Sequence, residues 1–133
     1  MEIEYINPGN MVKPRGYSHA VSVSGGHKTI YVGGQNAVDE EGNLVGRSNL
    51  REQVGQVLTN IEKVLGESNA KFGDVIKFNV YLLQGQNPAE GFQAFQQKWG
   101  KAENFPVVTV LFVAGLGNPE WLVEIEAIGV IPE

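Results

Sequence analysis

Glu124 and Glu126 are the residues of this chain best spaced for acid–base chemistry. They alternate with Ile125 in the segment LVEIEAIGV, so on a strand both carboxylates project from one face, roughly 7 Å apart. If that face lies between subunits, mutual repulsion and loss of solvent would raise one carboxyl toward neutrality, as general acid–base catalysis requires. The competing reading leaves Glu126 as a solvated carboxylate on an acidic edge. A second candidate is Gly33-Gly34-Gln35, where the missing side chains let a ligand oxygen approach backbone N–H groups; a tight strand end accounts for the same glycines.

Other chemistries are excluded by inspection. The chain has no cysteine, which removes disulfides, thiolate nucleophiles, iron–sulfur clusters and cysteine-based zinc sites. His19 and His27 stand eight positions apart, without the helical spacing of metal ligands, and read as surface or loop histidines. Ser18 lacks the strand–turn–helix context of an activated serine. No metal and no cofactor are expected.

The formal charge of −5, from 10 basic and 15 acidic residues, argues against a nucleic-acid partner, because neutralising phosphates needs clustered Lys and Arg and these are scattered. No apolar run reaches the roughly 18 to 20 residues that span a bilayer, and MEIEYINPGN carries acids where a signal peptide carries basic residues. A cytoplasmic protein without membrane contact is the expectation.

The elements that must position these residues follow from periodicity. With 133 residues, 42% of them hydrophobic, and no repeat or linker, the chain reads as a single domain over 1–133. Residues 18–24 and 29–32 read as strands joined by a Gly25-Gly26-His27 turn, hence a hairpin, with a short ribbon around 39–43. Leu50, Val54, Val57, Leu58, Ile61, Val64 and Leu65 recur at helical spacing; Asn49 with Glu52 predicts a capping box, and Gly66 a left-handed helix end. Ile76, Phe78, Val80 and Leu82 alternate with Lys77, Asn79 and Tyr81 as in a strand with one covered face. Asn87 caps a second helix with Pro88 at its first position, Glu90 in its first turn and a stripe of Phe92, Phe95 and Trp99 before Gly100. Strands at 107–113 and 121–130 complete an α+β order, a mixed sheet with two helices on one face. In VVTVLFV, Val107, Leu111 and Val113 point one way and Val108, Val110 and Phe112 the other. Both faces of that strand ask for burial, and two helices cannot supply both covers, so subunits are expected to associate.

The strings YSHAVSV, IYVGGQ, EQVGQVLTNIEKVL, DVIKFNVYL and LVEIEAIGV, in this order and over almost the whole chain, resemble the RidA (YjgF/YER057c/UK114) family. The resemblance implies a chorismate-mutase-like fold assembled as a homotrimer, with small-molecule ligand clefts at the subunit interfaces. It also implies enamine or imine deaminase chemistry without metal or organic cofactor. In such deaminases an arginine in a P-x-R-(S/T) stretch clamps the substrate carboxylate through paired charge-assisted hydrogen bonds. Here that stretch reads Pro106-Val107-Val108-Thr109, so Val108 takes the arginine's place and the wall it shares with Val110 is apolar.

By the same resemblance Glu124 orients or deprotonates the attacking water, Tyr17 packs on a planar ligand while offering its hydroxyl, and Gly33 and Gly34 border the cleft, with Gly33 where the family often has serine. Arg15, two residues before Tyr17, could reach the same side if the segment is extended; a solvated surface arginine is the rival reading, as for Arg47 and Arg51. Three functions compete: a small-metabolite-binding trimer that has lost the chemistry with the arginine, a divergent deaminase using Glu124 and water, and a ribonuclease. The last has against it the absence of a basic stripe.

Overall fold

The protein is described by a computed structural model that covers residues 1–100 and 102–133. Its elements run β1 (Glu2–Ile6), β2 (Ala20–Ser24), β3 (His27–Gln35), α1 (Leu50–Gly66), a 3-10 turn (Phe72–Asp74), β4 (Val75–Leu83), α2 (Pro88–Trp99), β5 (Val107–Val113) and β6 (Val123–Pro132). The main sheet has the order β3-β6-β4-β5. Its β4–β5 pair is parallel, joined through α2, and the other two pairings are antiparallel. This is the expected α+β architecture, a mixed sheet with two helices.

Alternation explains which face the helices cover. Phe78, Leu82, Ile125, Ala127, Ile30 and Val32 are buried on one side of the sheet, against Val54, Val57, Leu58, Ile61 and Leu65 of α1. Phe78 meets the ring of Phe95 edge-on at 5.3 Å, and Phe95 stacks on Trp99 at 5.7 Å, so the α2 stripe closes the far end of the same core. Phe92 is the member of that stripe left half exposed.

The helix starts follow their sequence signals. Asn49 Oδ1 accepts the Glu52 N–H at 3.0 Å, and Asn87 Oδ1 accepts the Ala89 N–H at 3.0 Å ahead of Pro88. The other half of the expected capping box is replaced, because the Asn49 N–H donates to Gly46 O at 2.9 Å. Two further local expectations fail. The predicted hairpin does not form: β2 pairs with β1 in a separate ribbon, Glu2 opposite Ser24 and Ile6 opposite Ala20, while β3 pairs with β6. The reason is burial, since Ile30 and Val32 of β3 must lie under α1, whereas the more exposed β2 finds its partner in the alternating EIEYI start. Nor does Gly66 end α1 in a left-handed turn; Asn69, with φ 60°, takes that conformation, and the Ala70 N–H closes on Leu65 O at 3.0 Å. The small ribbon near 39–43 survives as a single bridge between Val38 and Leu44.

Gln53 is fully buried in α1 and ties three segments together. Its Nε2 donates to Gly46 O at 3.2 Å and Glu120 O at 3.0 Å, and its Oε1 accepts the Leu122 N–H at 2.8 Å. This amide thereby anchors the loop that leads into β6 to α1. Replacing Gln53 by alanine strands a buried N–H and leaves a void, so Gln53→Ala should lower unfolding stability by about 2–4 kcal/mol. Urea denaturation against the wild type measures this, and a loss below about 0.5 kcal/mol would show that water takes over the bonds.

Candidate functional site

The sheet presents two chemically different faces, and the candidate residues are divided between them. On the helix side, Val108, Val110 and Phe112 of β5 join Val80, Leu82 and Ile125 along a cavity of about 570 Å³ beside α2. Its rim is the segment Arg15-Gly16-Tyr17. Gly16 has φ +77°, and a Cβ there would lie 3.0 Å from the Phe92 ring, so glycine allows the segment to cross tightly over α2. The Ser18 N–H donates to Pro106 O at 2.9 Å, fixing Tyr17 beside the start of β5. The His19 N–H donates to Asn7 Oδ1 at 2.8 Å, and the His19 ring meets Tyr17 edge-on at 5.6 Å.

The opposite face is polar. Glu126 Oε1 accepts from Asn79 Nδ2 at 2.9 Å and from the Tyr81 hydroxyl at 2.8 Å. These donors, helped by the charge of Lys77, hold the Glu126 carboxyl below the usual carboxylate range. The same bond to Glu126 raises the Tyr81 phenol above its ordinary value, with burial and the neighbouring carboxylates adding to the effect. Glu126 is thus held ionised, the reverse of the shift that a general acid at neutral pH would need. A second cavity of about 340 Å³ on this face is lined in part by Tyr31, Gly33, Lys77, Asn79 and Glu126.

Glu124 stands on this polar face as well, opposite Tyr81 of β4. Its Oε1 accepts from Asn36 Nδ2 at 3.2 Å, and Asn36 also reaches Val123 O at 3.3 Å. Asn36 is held in turn by α1: Asn60 Nδ2 donates to Asn36 O at 3.1 Å and to Val38 O at 2.9 Å, while Gln56 Nε2 donates to Asn60 Oδ1 at 2.8 Å. A Cβ on Gly34 would fall 2.5 Å from Glu124 Oε2, so glycine there makes room for the carboxylate. The register of β3 against β6 slips at these glycines, between Val32 and Gln35.

Of the residues singled out from sequence, Tyr17, Val108 and Val110 gather around the apolar cavity, as does Arg15. Gly34 and Glu124 meet on the other face, with Gly33 lining the polar cavity there. A single chain does not bring the two groups together. Sequence reasoning missed Asn36, Asn60, Asn79 and Tyr81. The signal was present for Asn60, since Gln53, Gln56 and Asn60 recur at helical spacing beside the apolar stripe of α1. Trp121 packs over Gly117 of its own loop, where a Cβ would lie 3.1 Å from its ring. His19 and His27 bond to the carbonyls of Val12 and Gly25, and among the described residues no group of three metal-ligating side chains converges.

Known proteins share this sequence pattern and fold. Residues 10–131 match the family model described as Endoribonuclease L-PSP. A RutC family protein of Pyrococcus abyssi is 32% identical over 117 residues, 87% of each chain. A 2-iminobutanoate/2-iminopropanoate deaminase of Bos taurus is 32% identical over 114 residues, 86% of this chain and 79% of that one. The crystal structure of YyfB from Yersinia pestis, of the conserved Rid protein family, superposes with a TM-score of 0.84 at 32% identity, covering 98% of this chain and 100% of that one.

The Glu126 network carries its own pH signature. Because the folded-state carboxyl titrates below its ordinary value of 4.5, its contribution to stability is present above that pH and is lost as pH falls through the depressed folded value. Tyr81→Phe removes one of the two donors, so the Glu126 midpoint, followed by carboxyl NMR, should move up toward 4.5; an unchanged midpoint would mean that Asn79 alone sets it.

Proposed function

Because the chain belongs to the RidA (YjgF) family, described by the Endoribonuclease L-PSP model, we propose that it binds small metabolites in clefts between the subunits of a homotrimer. In each cleft the cavity bearing Tyr17, Val108 and Val110 of one copy is closed by the Gly33, Gly34 and Glu124 face of the next. The observation that carries this reading is the division of the candidate residues between opposite faces of one sheet, which only a second copy can undo. The edge strand β5 supports it: Val110, Leu111 and Phe112 are 46%, 51% and 52% exposed, an apolar edge that calls for a cover.

Val108 decides what such a cleft rejects. A carboxylate seated against valine is stripped of water without a partner, and each charge-assisted hydrogen bond forgone is about 1.5–3 kcal/mol. The proposal is therefore a binding protein without turnover of small 2-imino acids. RNA cleavage finds no support, as the chain carries a formal charge of −5.

One observation favours a second reading, a divergent deaminase. Glu124 is oriented through Oε1 by Asn36, with Oε2 beside the Gly34 backbone. A carboxylate so placed could take a proton from water as the oxygen adds to an imine carbon and pass it to the nitrogen, and could then carry the proton of the new hydroxyl to the same nitrogen as the C–N bond breaks, leaving a carbonyl and releasing ammonia. The name of the bovine relative points the same way.

Light scattering should give the mass of three chains; a monomer at micromolar concentration would sink the cleft between subunits. Ammonia release from 2-iminopropanoate generated in situ should stay at the buffer level for the wild type and rise at least tenfold in Val108→Arg. Wild-type turnover that disappears in Glu124→Gln would establish the deaminase instead.

A further inference from the structure

We propose that the polar face of the sheet is itself a contact between copies of this chain, in which Lys77 of one copy pairs with Glu126 of its neighbour in a closed ring of charge pairs. This rests on the reading that the copies assemble as a trimer, and it adds the part of the contact that lies outside the ligand cleft. In that assembly the cavity side of one copy meets the Gly33, Gly34 and Glu124 face of the next, so the contact runs head to tail and closes by rotation. Each copy then turns its polar face towards a neighbour. Both edges of that face ask for a cover. Tyr31 of β3 and Leu111 of β5, which lies opposite Tyr81 of β4, are 78% and 51% exposed, large side chains that a second copy would shield from water.

Between these edges stand Lys77, Glu124 and Glu126. Glu126 takes both of its donors, Asn79 and Tyr81, on Oε1, and among the described residues Oε2 receives no hydrogen bond. Lys77 lies opposite Ile128, two positions along β6 from Glu126, and its charge helps to keep that carboxylate ionised. Among the described residues the ion pairs are Arg47 with Glu120 and Lys98 with Glu62, so Lys77 is not bonded to an acid of its own chain. One open carboxylate oxygen and one unpaired ammonium per copy make the face complementary to itself. Enclosed by a neighbour, both charges lose water and need a partner, and the flexible stem of lysine lets its ammonium reach across. Glu124 is engaged elsewhere, by Asn36 at the cleft.

Charge reversal in the full chain, read by light scattering and native mass spectrometry, tests the pair. Lys77→Glu sets acid against acid and Glu126→Lys base against base, so each variant alone should need at least about tenfold more protein than the wild type to form trimers, while circular dichroism stays that of the folded chain. Mixing the two variants, one of them isotope-labelled, should restore trimers that contain both, since the acid now at position 77 of one chain faces the base now at position 126 of the other. A pair confined to one chain gains nothing from such mixing. Glu126→Gln keeps an acceptor for Asn79 and Tyr81 and removes only the charge; it should weaken the trimer about threefold and make its assembly less sensitive to salt, and it decides the matter if Glu126→Lys does not fold. A trimer as tight as the wild type in Lys77→Glu or in Glu126→Gln, or a mixture of the two folded reversal variants without mixed trimers, overturns the pair and leaves the cleft in place. A wild-type chain that stays monomeric overturns both the pair and the assembly on which it rests.

Discussion

Two helices can cover one face of a four-stranded sheet, and the rest of this molecule is arranged around that shortage. α1 and α2 lie on the side that carries Phe78, Leu82 and Ile125, where apolar burial supplies the main stabilisation of the fold. The other side carries Lys77, Asn79, Tyr81, Glu124 and Glu126, whose polar groups remain solvated or bond to one another. β5 belongs fully to neither regime. It lies at the sheet edge, apolar on both faces, and α2 leaves a cavity rather than close packing beside Val108, Val110 and Phe112.

Polar side chains from the core helix govern the loops that carry the candidate site. Gln53 holds the approach to β6, and Gln56 and Asn60 hold the Asn36–Val38 backbone from which Asn36 reaches Glu124. Amides can serve here because each donates and accepts at fixed angles while partly buried, where an unmet backbone group would cost more than in solvent. The position of Glu124 is thereby coupled to α1, and a perturbation of the helix's polar stripe reaches the carboxylate without touching it.

The two carboxylates of β6 illustrate how neighbours override spacing. Both project from one face, as alternation requires, but Glu126 receives two hydrogen bonds from β4 and stays ionised, while Glu124 receives one from the β3–α1 loop. Spacing gives the face; the partners give the proton affinity. Neighbours act likewise at the apolar cavity. Valine at 108 leaves the wall apolar, and the residues around it, Val80, Leu82, Val110 and Phe112, keep it so.

Much of this was legible in the residues themselves. Period and capping alone place α1, α2, β4 and β5, because amphipathic spacing and an asparagine cap act within a few residues. The valine at 108, the absence of cysteine and the family likeness are equally properties of the string. Pairing partners were not: that β3 joins β6 and β2 joins β1 depends on which apolar residues lie under α1, a competition between segments far apart in the chain. The site divided in the same way. Tyr17, Val108, Gly34 and Glu124 could be named from sequence, yet only the fold puts the first pair and the second on opposite faces. Strand parity fixes a residue's face relative to its strand neighbours, and packing across the whole sheet decides which of the two faces the helices cover.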